Sequence, residues 1–296
     1  MAIGAGLVIG RPAAAQIRYA TGQNVVAVFE GWEHNPDGSF NMVFGYMNRN
    51  YEEEVDVPIG PSNMIEPGGP GGPGGPGGID QGQPTHFYLR RQQFMFKVRV
   101  PKDWGKKDLV WTLISAGKTE KAYASLAPFR ELGVDVYQQN RGGPVDDDDK
   151  PPAITVIGLA KRTVSLSDSV PLEVQVDDDG LPAARPARGG GPEAGRGAEG
   201  RGGPPAGITP RVENPLTQMI VKLDPGVRLG VTWVVHRRSG AGTVTFNPAK
   251  VAVTDGRAAT SARFSAPGTY VLRGYADDGI LLDYADVTVT VTAAGR

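Results

Sequence analysis

The amino-acid sequence predicts an all-β protein made of two antiparallel β-sandwich domains in tandem, with long Gly/Pro-rich insertions in their loops. Three observations carry this expectation. Short apolar runs alternate with polar residues at a period of two, the spacing that sends successive side chains to opposite faces of a strand. Clusters of Gly, Pro, Asn and Asp separate these runs, as turns require. No window holds a sustained 3.6-residue apolar period, so helices should be few. A chain of 296 residues, 40% of them hydrophobic, is long and apolar enough to bury a core in each of two domains.

The chain opens MAIGAGLVIGRPAAAQ. An apolar run over 2–10, followed by Ala13-Ala14-Ala15, has the hydrophobic region and small-residue cleavage site of a secretory signal, although no basic residue precedes it. Residues 1–15 are therefore expected to be a signal peptide, and the remainder to be exported to the periplasm or outside the cell. The run is too short to span a bilayer, and no later stretch reaches the roughly 18 apolar residues of a transmembrane helix. The absence of cysteine excludes disulfides, thiolate metal sites, a cysteine nucleophile and lipid attachment to cysteine. With 31 Lys and Arg against 32 Asp and Glu, there is no overall basic field to attract nucleic acid. The expected partner is a protein or polysaccharide at the cell surface, recognised locally.

The first domain is expected over 16–143. Residues 25–29 and 40–46 read as a hairpin around the turn Asn35-Pro36-Asp37-Gly38-Ser39. Phe94, Phe96, Val98 and Val100 alternate with Met95, Lys97 and Arg99, which places the first set on one face and leaves the other partly solvated. Residues 109–115 and 121–126 read as two strands around a turn at 116–120. Pro67, Pro70, Pro73 and Pro76 recur every third residue between paired glycines. Four triplets are too few for a collagen helix, and the repeat lies between strand-like segments of one domain. Residues 66–84 are thus expected to be a surface loop, whose length costs little closure entropy.

Residues 144–152, with Asp146 to Asp149 followed by Pro151-Pro152, read as a solvated acidic linker. Strand-like segments follow at 153–157, 163–166 and 172–176. Residues 181–211 carry Arg185, Arg188, Arg196 and Arg201 among Gly, Ala and Pro. They include no aromatic residue that could stack on a base, so a disordered insertion is expected rather than an RNA-binding tail.

Several segments of the last third share a pattern: Val231-Thr232-Trp233, then residues 240–246, Pro267-Gly268-Thr269-Tyr270, Ala276-Asp277-Asp278-Gly279 and the closing run 286–291. This half, over 153–293, resembles an immunoglobulin-like module of the polycystic kidney disease (PKD) type, taken broadly to include its cadherin-like relatives. The resemblance implies an immunoglobulin-like β-sandwich for this half, while the first domain is expected to be a sandwich of the same kind from its strand pattern alone; the Gly-Asp-Gly segment of many PKD modules is missing. Alternation alone puts Trp233 between two sheets and starts Tyr270 from a turn, placed to reach a backbone partner as in a tyrosine corner.

No catalytic or cofactor motif emerges. His34, His86 and His236 are isolated, without the spacing of a zinc site, and read as surface or loop residues. Residues 116–119, Ala-Gly-Lys-Thr, lack the first glycine of a phosphate-binding loop, since position 112 is Thr112. The serines at 165, 167 and 169 have no local base and no nucleophile elbow. No metal site is assigned. Asp177, Asp179, Asp277 and Asp278 sit in Asp-Gly turns, where ordinary turn chemistry is the first reading. Calcium is the second, should the strands that end in these turns lie side by side. Two classes of function stay open. One is an exported non-catalytic binding or spacer module at the cell envelope or outside the cell. The other is a carbohydrate-binding accessory or a hydrolase using carboxylates such as Glu30, Glu33 and Asp37 beside Trp32. Burial of Trp32, Tyr46, Tyr51, Phe87, Tyr88, Trp104 and Trp111 favours the first; a planar exposed row favours the second.

Overall fold

The computed structural model describes residues 19–68, 77–142, 146–182, 219–224 and 226–293. The signal expected over 1–15, most of the Gly/Pro repeat, residues 144–145 and nearly all of the 181–211 insertion lie outside the described residues.

The fold is an all-β sandwich architecture. In the first half, β1 (Val25–His34), β2 (Phe40–Asn48) and β6 (Arg90–Val100) form one sheet in the order β1-β2-β6. A second sheet has the order β4-β7-β8, from β4 (Asn63–Glu66), β7 (Leu109–Ser115) and β8 (Lys118–Ala124). A short ladder joins β3 (Val55–Asp56) to β5 (His86–Phe87). Aromatic rings fill the gap between the two larger sheets. Trp111 meets Phe96 edge-on at 5.0 Å and Phe44 at 5.9 Å, and Phe44 stacks on Phe96 at 5.2 Å. The Trp111 indole N–H donates to Asn63 Oδ1 at 2.9 Å, so its one polar atom is satisfied inside the core. The β7–β8 turn is tighter than its sequence suggests: Ser115 faces Lys118, and Ala116 and Gly117 both take positive φ (46° and 70°), the conformation that matches the twist of paired strands. A helix the sequence did not predict, α1 (Val134–Arg141), follows a single 3-10 turn at Pro128–Arg130. With only eight residues, it is too short to display a helical period.

The second half is a sandwich of two sheets. One runs β13-β15-β11-β9, from β9 (Ala153–Val156), β11 (Val170–Asp177), β13 (Val244–Asn247) and β15 (Arg257–Phe264). The other runs β10-β17-β16-β12-β14, from β10 (Lys161–Ser165), β12 (Gly230–Arg238), β14 (Lys250–Ala252), β16 (Gly268–Asp277) and β17 (Leu282–Thr292). β9 and β10 are consecutive in the chain but lie in opposite sheets, and β10 pairs in parallel with β17, unlike the antiparallel ladders around it. The core contains Val174, Val231, Trp233, Leu272, Val287 and Val289. Trp233 is buried between the sheets, as its alternating strand predicts. Tyr270 is buried and its hydroxyl donates to Ala266 O at 2.8 Å, the backbone tether expected of it.

Gly274 leaves the space that the Trp233 ring occupies: a Cβ at 274 would stand 3.1–3.2 Å from three of its ring carbons. Gly274→Ala is therefore expected to destabilise by about 1–3 kcal/mol through overpacking. Tyr270→Phe, which loses one hydrogen bond, should cost about 1 kcal/mol. Urea unfolding of both variants checks this order.

Candidate functional site

β12 and the second half of β16 are buried on both faces, and β17 is buried on one, its Asp286 side remaining partly exposed. Their alternate residues Trp233, Leu272 and Val287 face the partner sheet, whereas Val234, Tyr275 and Leu282 join the core of the first half. The face of β6 expected to be partly solvated is so at Arg99, which is exposed, while Met95 is buried and Lys97 nearly so under the second half. Two β-bulges and the open strand edges beside them shape this contact. In β6, Phe44 pairs with Phe96 but Tyr46 pairs with Gln92, and Phe94 sits at φ 56°. Phe94 thereby leaves the row it was expected to share with Phe96 and packs on Tyr137 of α1 at 4.3 Å. Gly45 lies opposite this bulge, where a Cβ would fall 2.4 Å from Gln92 O. The Met95 carbonyl, on the open edge of β6, accepts the Tyr275 hydroxyl at 2.6 Å and Arg273 Nη1 at 3.0 Å, and the Lys97 N–H on the same edge donates to the Tyr284 hydroxyl at 3.1 Å.

The second bulge lies in β12, between Val235 and Arg237. There the Val235 N–H donates to the Tyr88 hydroxyl at 2.7 Å, and His236 O accepts the Thr85 N–H at 3.1 Å. His236 Nε2 meets Gly82 O at 2.8 Å. Arg237 clasps Asp80 with two bonds (2.7 and 2.9 Å) and donates to Gln83 O at 2.8 Å. The trailing end of the loop expected over 66–84 thus fastens the two halves together.

Charge pairs complete the contact. Arg273, buried, forms a two-bond pair with Asp286 (2.7 and 2.8 Å) and lies 3.6 Å from the Tyr284 ring centroid. Arg141 of α1 is paired with Asp277 of β16, both side chains out of solvent. Arg238 holds Asp56 at 2.6 Å, and the other side of Asp56 receives His86 Nδ1 at 2.9 Å, while His86 Nε2 meets Glu54 at 3.1 Å. His86 and His236 are therefore buried, contrary to the surface or loop placement expected, whereas His34 is exposed. Burial opposes the charged form of His86, but its bonds to Asp56 and Glu54 outweigh this and raise its pKa. Burial, reinforced by Arg273, depresses the pKa of His236 and keeps that ring neutral.

The carboxylates named for hydrolysis are engaged in structural pairs. Glu30 makes two bonds to Arg91 (2.6 and 2.7 Å), Glu33 pairs with Lys97 at 2.9 Å and accepts the Tyr137 hydroxyl, and Asp37 pairs with Arg99 and Ser39. Trp32, Tyr46, Phe87, Trp104 and Trp111 are buried and Tyr51 and Tyr88 half-buried, so these seven do not form a planar exposed row.

The four aspartates named for calcium do not act as one group. Asp177 is bonded by Gln175 of its own strand. Asp179 accepts the backbone N–H groups of Lys150 and Leu181. Asp277 is committed to Arg141. Their strands do not lie side by side: β11 and β16 belong to opposite sheets. Asp278 is buried, its Oδ1 accepting Ile280 N and Leu281 N at 2.7 and 2.8 Å, with Oδ2 unbonded. Asp149, expected in a solvated linker, is only 6% exposed, and neither of its carboxylate oxygens has a partner. It lines a cleft of about 390 Å³ with Glu33, Lys97, Tyr137 and Leu281. Burial, then the charges of Asp179, Asp178 and Asp146, push the Asp149 pKa up to about 6. Burial, with added repulsion from Asp149 and Asp277, pushes Asp278 to about 7 against the pull of its two backbone bonds. Among the described residues, no three His, Asp or Glu side chains already stand close enough together to hold a metal ion. No helix among them is long and apolar enough to cross a membrane.

No family model and no curated protein sequence matches the chain. Among solved structures it has low similarity to domains 4 and 5 of the S-layer protein SbsC (10% identity, 66% of this chain and 69% of that one, TM-score 0.23). It has similar likeness to the D0-D1 domain of Intimin (9% identity, 90% of this chain and 100% of that one, TM-score 0.25). An endo-fucoidan hydrolase of glycoside hydrolase family 107 matches at 10% identity over 96% of this chain and 28% of its own, TM-score 0.24. Scores this low transfer neither function nor partner.

Arg141→Met leaves the Asp277 carboxylate buried without its partner and should cost about 3–5 kcal/mol, measured by chemical unfolding. A raised folded-state pKa for His86 means that its contribution is complete below about pH 6.5 and is lost as pH rises through the folded value. The stability difference between the wild type and His86→Gln should therefore shrink from pH 6 to pH 9; thermal melts across this range check the sign.

Proposed function

We propose that this chain is an exported, non-catalytic protein that acts as a rigid two-module spacer or binding element at the cell envelope or outside the cell, engaging a protein or polysaccharide there. One observation carries the reading: the halves are docked through desolvated bonds to backbone groups on the open edges of β6 and β12, so they hold a fixed mutual orientation. Ordinary interdomain contacts leave relative motion as the default. Here the Tyr275, Arg273, Tyr88 and Thr85 bonds would each leave a buried polar group unsatisfied if the halves separated. Export rests on the leader-like residues 1–15. Pairing of Glu30, Glu33 and Asp37 with basic groups and burial of the indoles weigh against a hydrolytic or sugar-stacking site.

The cysteine-free chain allows a direct test. Tyr123 and Leu159 are exposed, one in each half, and a Tyr123→Cys/Leu159→Cys variant accepts two spin labels. A single narrow distance distribution is the expected outcome, together with the absence of polysaccharide hydrolysis in a substrate screen. A broad distribution would overturn the rigid-spacer reading, and sugar release would overturn the non-catalytic one.

A further inference from the structure

We propose that the carboxylates of Asp149 and Asp278 bind a calcium ion at the junction of the two halves, with Asp178 adding negative charge nearby. The proposal does not depend on the spacer reading. Asp149 is 6% exposed and Asp278 3%. Between them they present three buried oxygens without a hydrogen-bond partner, and Asp178 Oδ1 is a fourth. Buried carboxylate oxygens are ordinarily satisfied, because leaving a charge desolvated and unpaired is costly.

The way these groups are held points to a ligand rather than to poor packing. Asp278 is fixed through Oδ1 by Ile280 N and Leu281 N, leaving Oδ2 bare. Asp178 is fixed through Oδ2 by Gly180 N at 3.0 Å and Arg228 at 2.8 Å, leaving Oδ1 bare. Each carboxylate is oriented by one oxygen and presents the other. The guanidinia at this pole are directed elsewhere, Arg141 to Asp277 with its Nε left unbonded and Arg228 to Asp178. Asp149 lines the same cleft as Leu281, whose N–H holds Asp278, so the cleft brings the joining segment beside the turn that carries Asp278; the cleft, which Tyr137 also lines, gives an ion a path in from solvent.

The donor chemistry selects the ion. All the free donors are hard carboxylate oxygens, which suit calcium or magnesium and not zinc or copper. The number of carboxylates suits either ion; calcium is chosen because its shell of six to eight oxygens tolerates irregular geometry, whereas magnesium demands a near-ideal octahedron that carboxylates already fixed by backbone bonds do not supply. A site with so few charges belongs to the weak class typical of extracellular modules, with Kd about 10⁻⁴–10⁻³ M. Such an ion would tie the segment joining the halves to the turn between β16 and β17.

Calorimetric titration of calcium into the full chain, with terbium luminescence sensitised by Tyr137 as a second readout, tests the site. One calcium per chain in that affinity range is expected, with at least tenfold weaker binding in Asp149→Asn and in Asp278→Asn. The amide at 278 still accepts the two backbone bonds, so the turn survives the change. About 10 mM calcium should raise the wild-type Tm by about 3–5 °C and leave the double variant unmoved. Absence of binding to the wild type at that concentration, or a double variant that binds as the wild type does, would overturn the proposal.

Discussion

The architecture turns on backbone groups of β6 and β12 that their own sheets leave unpaired and the other half of the molecule satisfies. β6 is the edge of its sheet, and β14 pairs with β12 only as far as Thr232, so both strands carry open edges at the junction. The Met95 carbonyl and the Val235 N–H point out of these edges, and the bulge between Val235 and Arg237 turns the His236 carbonyl out as well. The five-stranded sheet consequently has little solvent face over β12 and β16, and the polar residues Arg273, His236 and Asp277 are buried with partners rather than hydrated.

This constraint explains where charge is found. Arg273 can be buried because Asp286, the Met95 carbonyl and the Tyr284 ring surround it. Arg141 and Asp277 neutralise each other, and His86 shares Asp56 with Arg238. Buried pairs of this sort add little net stability relative to apolar packing, but breaking one is costly, so their effect is to specify one docking geometry. Asp149 and Asp278 depart from the pattern. They are desolvated without a basic partner at the same junction, which is why they stand out as the place for a cation.

Much of the fold was legible in the residues. The hairpin around Asn35 to Ser39, the alternation of Phe96, Val98 and Val100 in β6, the inward Trp233 and the Tyr270 tether all follow from local pattern and turn chemistry. What could not be read was the second side of the central sheet. A period of two states that Arg273, Tyr275 and Val234 share a face; it does not state what covers that face. The covering groups Tyr88, Thr85 and Met95 lie roughly 150 to 180 positions away in sequence. For the same reason, Asp149 read as part of a hydrated run, and His86 and His236 as loop residues. The acidic turns were visible, but the partner of Asp278 was sought at Asp177 and Asp179, whereas the neighbouring free carboxylate belongs to the joining segment.

Native-state hydrogen exchange tests the central claim most directly, because it reports the opening free energy of each backbone amide. If docking through the edge groups of β6 and β12 makes the molecule one cooperative unit, the core amides of β2 and β6 and those of β12 and β16 exchange with one common global free energy. Two separate plateaus, one for each half, would show that the halves open independently and would contradict the account.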